Sequence, residues 1–325
     1  MLGRWVLYGC ALALALLVIA LRPASEQPAT EADNLNAEVM RLLQIGKYAE
    51  AEPVAKRALA LREQMLGREH PEVANAMNNL AGVFLEQGRY AEAEPFYKRS
   101  LAITESALGP SHPHVGSSLN NLAEVYKEQG RYSEAELLYR RSLAITEAAL
   151  GPEHPHFGAS LNSLAGLYAV QGHFANAEPL IKRALAIREK ALGPEHPDVA
   201  ISLNNLAGLY LAQGRYPEAE QPCRRAIAIG EAALGAEHPY VANSLNNLAG
   251  VYEAQGRFIE AEPLYKRSLA IRERALGPEH SYVGKSLNNL AGLYVAQGRY
   301  ADAAPLTKHA LAISEKVLGT EHPAV

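Results

Sequence analysis

Every 42 residues the chain repeats a short phrase, LGPEHP or a near copy, reaching its last position at Pro71, Pro113, Pro155, Pro197, Pro239, Ser281 and Pro323. A constant spacing of this length constrains the fold more than overall size does, because a repeat array grows by stacking identical units. Residues 197–238 show the unit. In its first half Leu203, Leu206, Ala207 and Tyr210 stand at i, i+3, i+4 and i+7, one apolar face of a helix. Pro197 suits a first helical position and Gly214 the left-handed residue past a helix end, so the spacing predicts a helix over about 197–213. A second helix follows, with Ala219, Cys223, Ala226, Ile227 and Leu234 inward, and stops at Gly235.

One such hairpin cannot bury its own apolar face, but a stack of them can. The expected fold is therefore all-α: an α-solenoid of about seven helix-turn-helix hairpins over 29–322, preceded by an N-terminal apolar helix. The expected organisation is a membrane anchor or signal peptide (1–24), a polar linker (25–34), a degenerate capping repeat (35–70), six full repeats (71–112, 113–154, 155–196, 197–238, 239–280, 281–322) and a tail (323–325). In the first unit Glu38 replaces the leucine of NLA, which suits an exposed cap. The last unit has no such cap, and its end is expected to pack on another copy or on a partner.

Residues 5–21 carry no charge and as a helix would reach roughly 25 Å, the short end of a membrane span. They read as a single-pass anchor with the repeats exported, periplasmic in a bacterium. The alternative is a signal whose cleavage after Ala20 releases a secreted or periplasmic product. A net charge of −4 gives no basic field for nucleic acid. Two cysteines, Cys10 and Cys223, make no disulfide framework.

Leu206, Ala207, Tyr210, Gly214, Tyr216, Ala219 and Ala226 resemble the tetratricopeptide repeat (TPR) pattern, and SLNNLAGLY, QGRYAEAEP, YKRSLAIRE and LGPEHP resemble the 42-residue repeat of kinesin light chains. The resemblance covers nearly all of the chain after residue 30. It implies a right-handed superhelix and a groove that binds a peptide or partner protein. A kinesin light chain is expected to carry an N-terminal heptad coiled coil, and this chain has an apolar segment there, so a motor-adaptor role is not implied.

The candidate groove residues are paired asparagines in the first helices. The second members are Asn79, Asn121, Asn205, Asn247 and Asn289; the first members are Asn78, Asn120, Asn162, Asn204, Asn246 and Asn288, with Ser163 interrupting the pattern. Asparagine is a mediocre helix former, so its recurrence needs a reason. The amides either bond a ligand's backbone or join neighbouring repeats. Mid-helix glycines at 82, 166, 208, 250 and 292 point to clearance on the same stripe. Basic pairs such as Arg224-Arg225 follow a glutamate four residues earlier and read as a solvated, self-paired face. No Walker A run, GxGxxG, HExxH or GxSxG occurs, so no enzyme activity, cofactor or metal is expected. Histidines one repeat apart should stand about 10 Å from each other, too far to share an ion.

Overall fold

The computed structural model describes residues 26–44 and 47–318, and all regular structure in them is helical. Fourteen helices run in order: α1 (Glu26–Gln44), α2 (Tyr48–Leu66), α3 (Pro71–Glu86), α4 (Tyr90–Leu108), α5 (Pro113–Glu128), α6 (Tyr132–Leu150), α7 (Pro155–Val170), α8 (Phe174–Leu192), α9 (Pro197–Ala212), α10 (Tyr216–Leu234), α11 (Pro239–Ala254), α12 (Phe258–Leu276), α13 (Ser281–Ala296) and α14 (Tyr300–Leu318). Each odd-numbered helix packs on the even one after it, and each even one on the odd helix of the next pair. Helix α1 begins within the stretch read as a polar linker.

Two different turns join the helices. Within a pair, Gly214 at φ +72° closes α9; its N–H bonds the Leu211 carbonyl, and the next N–H, of Arg215, reaches back to Tyr210 at 2.8 Å. This double closure satisfies carbonyls that the helix end would orphan, and the positive φ requires glycine. Between pairs, the histidine of LGPEHP is the helix N-cap. Its Nδ1 accepts the N–H two residues on, from Glu72, His114, His156, Asp198, Tyr240 and Tyr282 in turn, always at 3.1–3.2 Å. Each histidine thus satisfies one of the four free donors of the following helix.

The core lies between the helices of a pair and between neighbouring pairs. Leu203, Leu206, Ala207 and Tyr210 are buried as their spacing requires, against Ala219, Cys223 and Ala226. Ile229 is the fully buried isoleucine of α10, while Ile227 is half-buried against Val241, Ala242 and Leu245 of the next pair. The expected inner position of Ile227 is therefore an inter-repeat one. On α1, Glu38 pairs with Arg41 at 2.6 Å on the outer surface, as an end cap permits.

First helices of successive pairs touch each other, as α9 does α11, whereas second helices of successive pairs do not among the described residues. The array therefore bends toward its first helices, which line the concave face. The bend brings the chain back on itself. His238 Nε2 bonds the Gln44 carbonyl, and His280 Nε2 bonds the Glu86 carbonyl at 2.9 Å, both across 194 residues. Helix α12 packs against α2 at this closure.

The expected single-pass anchor is corrected here: no helix among the described residues is long and apolar enough to cross a membrane. Most of their large apolar side chains are buried where helices meet, with a few such as Leu137 and Ile259 left on the surface. Residues 5–21, on which the anchor and signal expectations rested, lie outside the described residues, as do residues 319–325 at the end expected to pack on another copy.

If the histidines are caps, His196→Ala should lower stability by about 1 kcal/mol in urea unfolding, while His196→Asn, itself a good cap, should retain most of it. Equal loss in both would contradict capping.

Candidate binding groove

The paired asparagines lie along the concave first helices, most of them half-buried. The second asparagine of one repeat donates to the first of the repeat before it: Asn121 to Asn78 at 3.0 Å, Asn247 to Asn204 at 3.0 Å, Asn289 to Asn246 at 2.9 Å. Asn79 reaches Asn36 at 3.5 Å, the weak first rung. The ladder breaks where Ser163 replaces an asparagine. Asn120 donates instead to Ser163 at 3.1 Å, and the buried Asn162 turns to Ser202 at 2.6 Å. Two amides are left without a hydrogen-bond partner among the described residues, Asn205 and the exposed Asn288.

The glycines of the same stripe meet different surroundings. An added Cβ at Gly166 would find nothing within 4 Å, and at Gly208 it would find the Asn247 amide at 3.6 Å. At Gly250 it would press on Leu211 of the previous repeat at 3.1 Å. In the third pair Glu124 stands in this register, taking a bond from the Tyr139 hydroxyl at 2.6 Å and pairing with Lys127. Burial works against its charge, but the Lys127 ammonium outweighs that and holds its carboxyl below the ordinary range. Lys127 also pairs with Glu128 at 3.5 Å. Glu86, one repeat earlier, makes no ion pair among the described residues. Its burial, with Glu124 and Glu128 nearby, raises its carboxyl. The inner surface of the second and third pairs is thus acidic.

Sequence reasoning missed the arginine of QGRY. Arg215 Nη1 donates to Glu178 of the preceding repeat at 2.7 Å and to Gln213 at 2.8 Å, while its Nε reaches Glu218 at 2.9 Å. Its guanidinium lies 4.1 Å from the Tyr210 ring centre. Arg89, Arg131, Arg257 and Arg299 repeat the arrangement. The shared glutamate is also the one that pairs with the basic residue four places on, so that face joins repeats as well as pairing with itself. Lys182 and Arg215 together hold the Glu178 carboxyl down to about 2. The signal was available: an arginine after five of these six turn glycines, with His173 the exception, 37 residues from a fixed glutamate.

No group of three metal-ligating side chains occurs among the described residues. The Cys223 thiol, fully buried, is pushed up to about 12 by desolvation and stays protonated.

The tetratricopeptide repeat profile matches residues 37–106, 72–148, 157–232, 223–274 and 240–316. The chain belongs to the tetratricopeptide repeat family. Among solved structures it is similar to the nearly identical TPR-like repeats of a kinesin light chain from Podosopora anserina, at 32% identity over 63% of this chain and 98% of that one, with a TM-score of 0.48. Aspartyl phosphate phosphatase F from Bacillus subtilis matches at 15% identity over 95% of this chain and 76% of its own, with a TM-score of 0.64. A Rap protein complexed with Competence and Sporulation Factor matches at 15% over 90% and 99%, with a TM-score of 0.55. At 15% identity these last two share the fold alone. No curated protein matches the chain.

Two outcomes follow from the TPR geometry. Asn247→Ala should cost about 1 kcal/mol in urea unfolding by removing a rung, whereas Asn205→Ala should stay within about 0.5 kcal/mol. The second concerns pH. Burial lowers His238 and His280 below their ordinary value of 6.5, so the unfolded chain binds more protons than the folded one in that region. Their contribution is present above 6.5 and is lost as pH falls below it. Protonation also removes the Nδ1 lone pair that caps the next helix. The radius of gyration from X-ray scattering should therefore rise between about pH 7.5 and 5 with helicity retained. A His238→Asn/His280→Asn variant keeps the caps but not the closure, and should be expanded at both values.

Proposed function

We propose that this TPR chain is a non-enzymatic interaction scaffold whose concave face holds a peptide or partner protein. The observation that carries the reading is a pair of cavities between successive first helices, of about 370 and 300 Å³, walled by Asn120 and Asn121 in one and by Asn204 and Asn205 in the other. Polar side chains at the floor of a concave, partly apolar recess are what an extended peptide needs for its backbone groups. Asn205 has an uncommitted amide there, and the open backbone at Gly166 gives clearance on the same stripe. The Rap protein solved with Competence and Sporulation Factor supports a ligand-holding role for this fold in general terms. Self-assembly through the C-terminal end draws no support from the described residues.

Photocrosslinking in the native host tests the reading, with a benzophenone amino acid at Asn205 on the concave face or at the exposed Ala228 of α10. A specific protein crosslinked from Asn205, lost in competition with its own peptide and not obtained from Ala228, is the expected result. Crosslinks from Ala228 alone would contradict it.

A further inference from the structure

The 300 Å³ cavity exists because one side chain of the repeat is missing. At the corresponding register of α8 and α12 stand Arg188 and Arg272, 5% and 6% exposed. Arg188 donates to the Asp198 carbonyl at 2.9 Å and to Ser202 Oγ at 3.0 Å. Arg272 donates likewise to the Tyr282 carbonyl at 3.3 Å and to Ser286 Oγ at 2.6 Å. In both, the acceptors lie ten and fourteen residues on, and neither guanidinium makes an ion pair among the described residues. In α10 the same register is Gly230. Its acceptors, the Tyr240 carbonyl and Ser244 Oγ, still line the space, which no guanidinium fills. Ser244 spends its hydroxyl only on a long 3.5 Å bond to that carbonyl.

The third pair offers an internal comparison. There the register holds Thr146, whose hydroxyl folds back onto the Ser142 carbonyl at 2.7 Å, and the equivalent cavity is again open, at about 370 Å³. Where Arg272 is present the corresponding space shrinks to about 140 Å³. The Gly230 cavity differs from the Thr146 one in charge: Asp198 lines it where His114 lines the other. A carbonyl and a buried hydroxyl in the positions that hold the guanidinium elsewhere, with a carboxylate beside them, match a planar cation with several donors.

We propose that the Gly230 cavity receives an arginine side chain of the bound peptide, which takes the place the chain's own arginine holds in α8 and α12. The proposal rests on the scaffold reading and names what that groove selects. The guanidinium donates to the Tyr240 carbonyl and Ser244 Oγ and faces Asp198, while Asn205 is free for the peptide backbone. Glu124 and Glu128 share the single Lys127 ammonium, and the carboxylate charge left over on the inner surface favours the same cation.

The test uses the blocked tripeptide acetyl-Gly-Arg-Gly-amide, its citrulline counterpart and free arginine, titrated into the full chain with saturation-transfer NMR. The arginine tripeptide should bind at least about tenfold more tightly than the neutral citrulline one. Gly230→Arg should lose that binding by a similar factor while its melting temperature holds or rises, since the new side chain fills its own cavity. A Cβ at Gly230 meets Val241 at 3.1 Å, but the arginine repeats accommodate the equivalent Val199 and Val283, both buried. Should Gly230→Arg fail to fold, Asp198→Asn keeps the volume and should weaken the arginine tripeptide selectively over the citrulline one. No binding to the native chain, equal binding to Gly230→Arg, or free arginine binding as tightly as the tripeptide would each overturn the proposal. Crosslinks persisting at Asn205 without arginine discrimination would remove this assignment and leave the scaffold standing.

Discussion

The structure depends on two turns that never vary. A glycine at positive φ closes each first helix after α1, and a histidine whose ring accepts a backbone N–H opens the same helices. Each is a local device contributing on the order of 1 kcal/mol, small beside the apolar surface that stacking buries. Their importance is geometric. Because the same dihedrals recur at each turn, each pair adds the same step to the superhelix, and the closure meets at the same offset of 194 residues twice. A turn of variable geometry would spread those steps, and neither histidine would find its carbonyl.

Two ladders hold the step in place. On the concave side the asparagines bond repeat to repeat; near the intra-pair turns, an arginine of one repeat grips a glutamate of the previous one while lying on its own repeat's aromatic ring. Bonds of this kind are modest singly, and their number makes the array cooperative from neighbour to neighbour. The informative positions are therefore those that break the period. Ser163 interrupts the ladder and Asn162, turned to Ser202, leaves Asn205 without a rung; Gly230 omits an arginine and leaves a cavity; Glu124 puts a carboxylate where the other full repeats have glycine. In a protein whose regularity is structural, chemistry available to a partner gathers where the regularity lapses.

Much of this was legible from residues alone. The 42-residue period, the apolar i, i+3, i+4, i+7 stripes and the turn glycines sufficed for the helix pairs, because each is a local signal repeated in phase. The histidines were readable as turn residues, though not as caps, since imidazole is not among the usual capping side chains. The asparagines left two readings open, and no local pattern could decide between them: whether an amide meets a ligand or a neighbour depends on the distance between adjacent helices. The QGRY arginine was missed because an exposed charge beside a turn looks like solvated surface until its partner, 37 residues away, is seen beside it. The closure was out of reach for a deeper reason. It is the sum of several small rotations, and a few degrees per repeat would open it. Gly230 was invisible for the opposite reason, since its meaning lies in what its counterparts Arg188 and Arg272 do.

The central claim is that uniform turns carry the chain back onto itself, so that the first and last thirds share one concave interior. It is tested most directly by a spin-label distance across the closure, with Cys10 and Cys223 replaced by alanine and labels at Ala49 and Glu279, which face a common cleft. Pulsed electron double resonance at neutral pH should give one short, narrow distance distribution. A long or broad distribution, unchanged between neutral and acidic pH, would contradict the account.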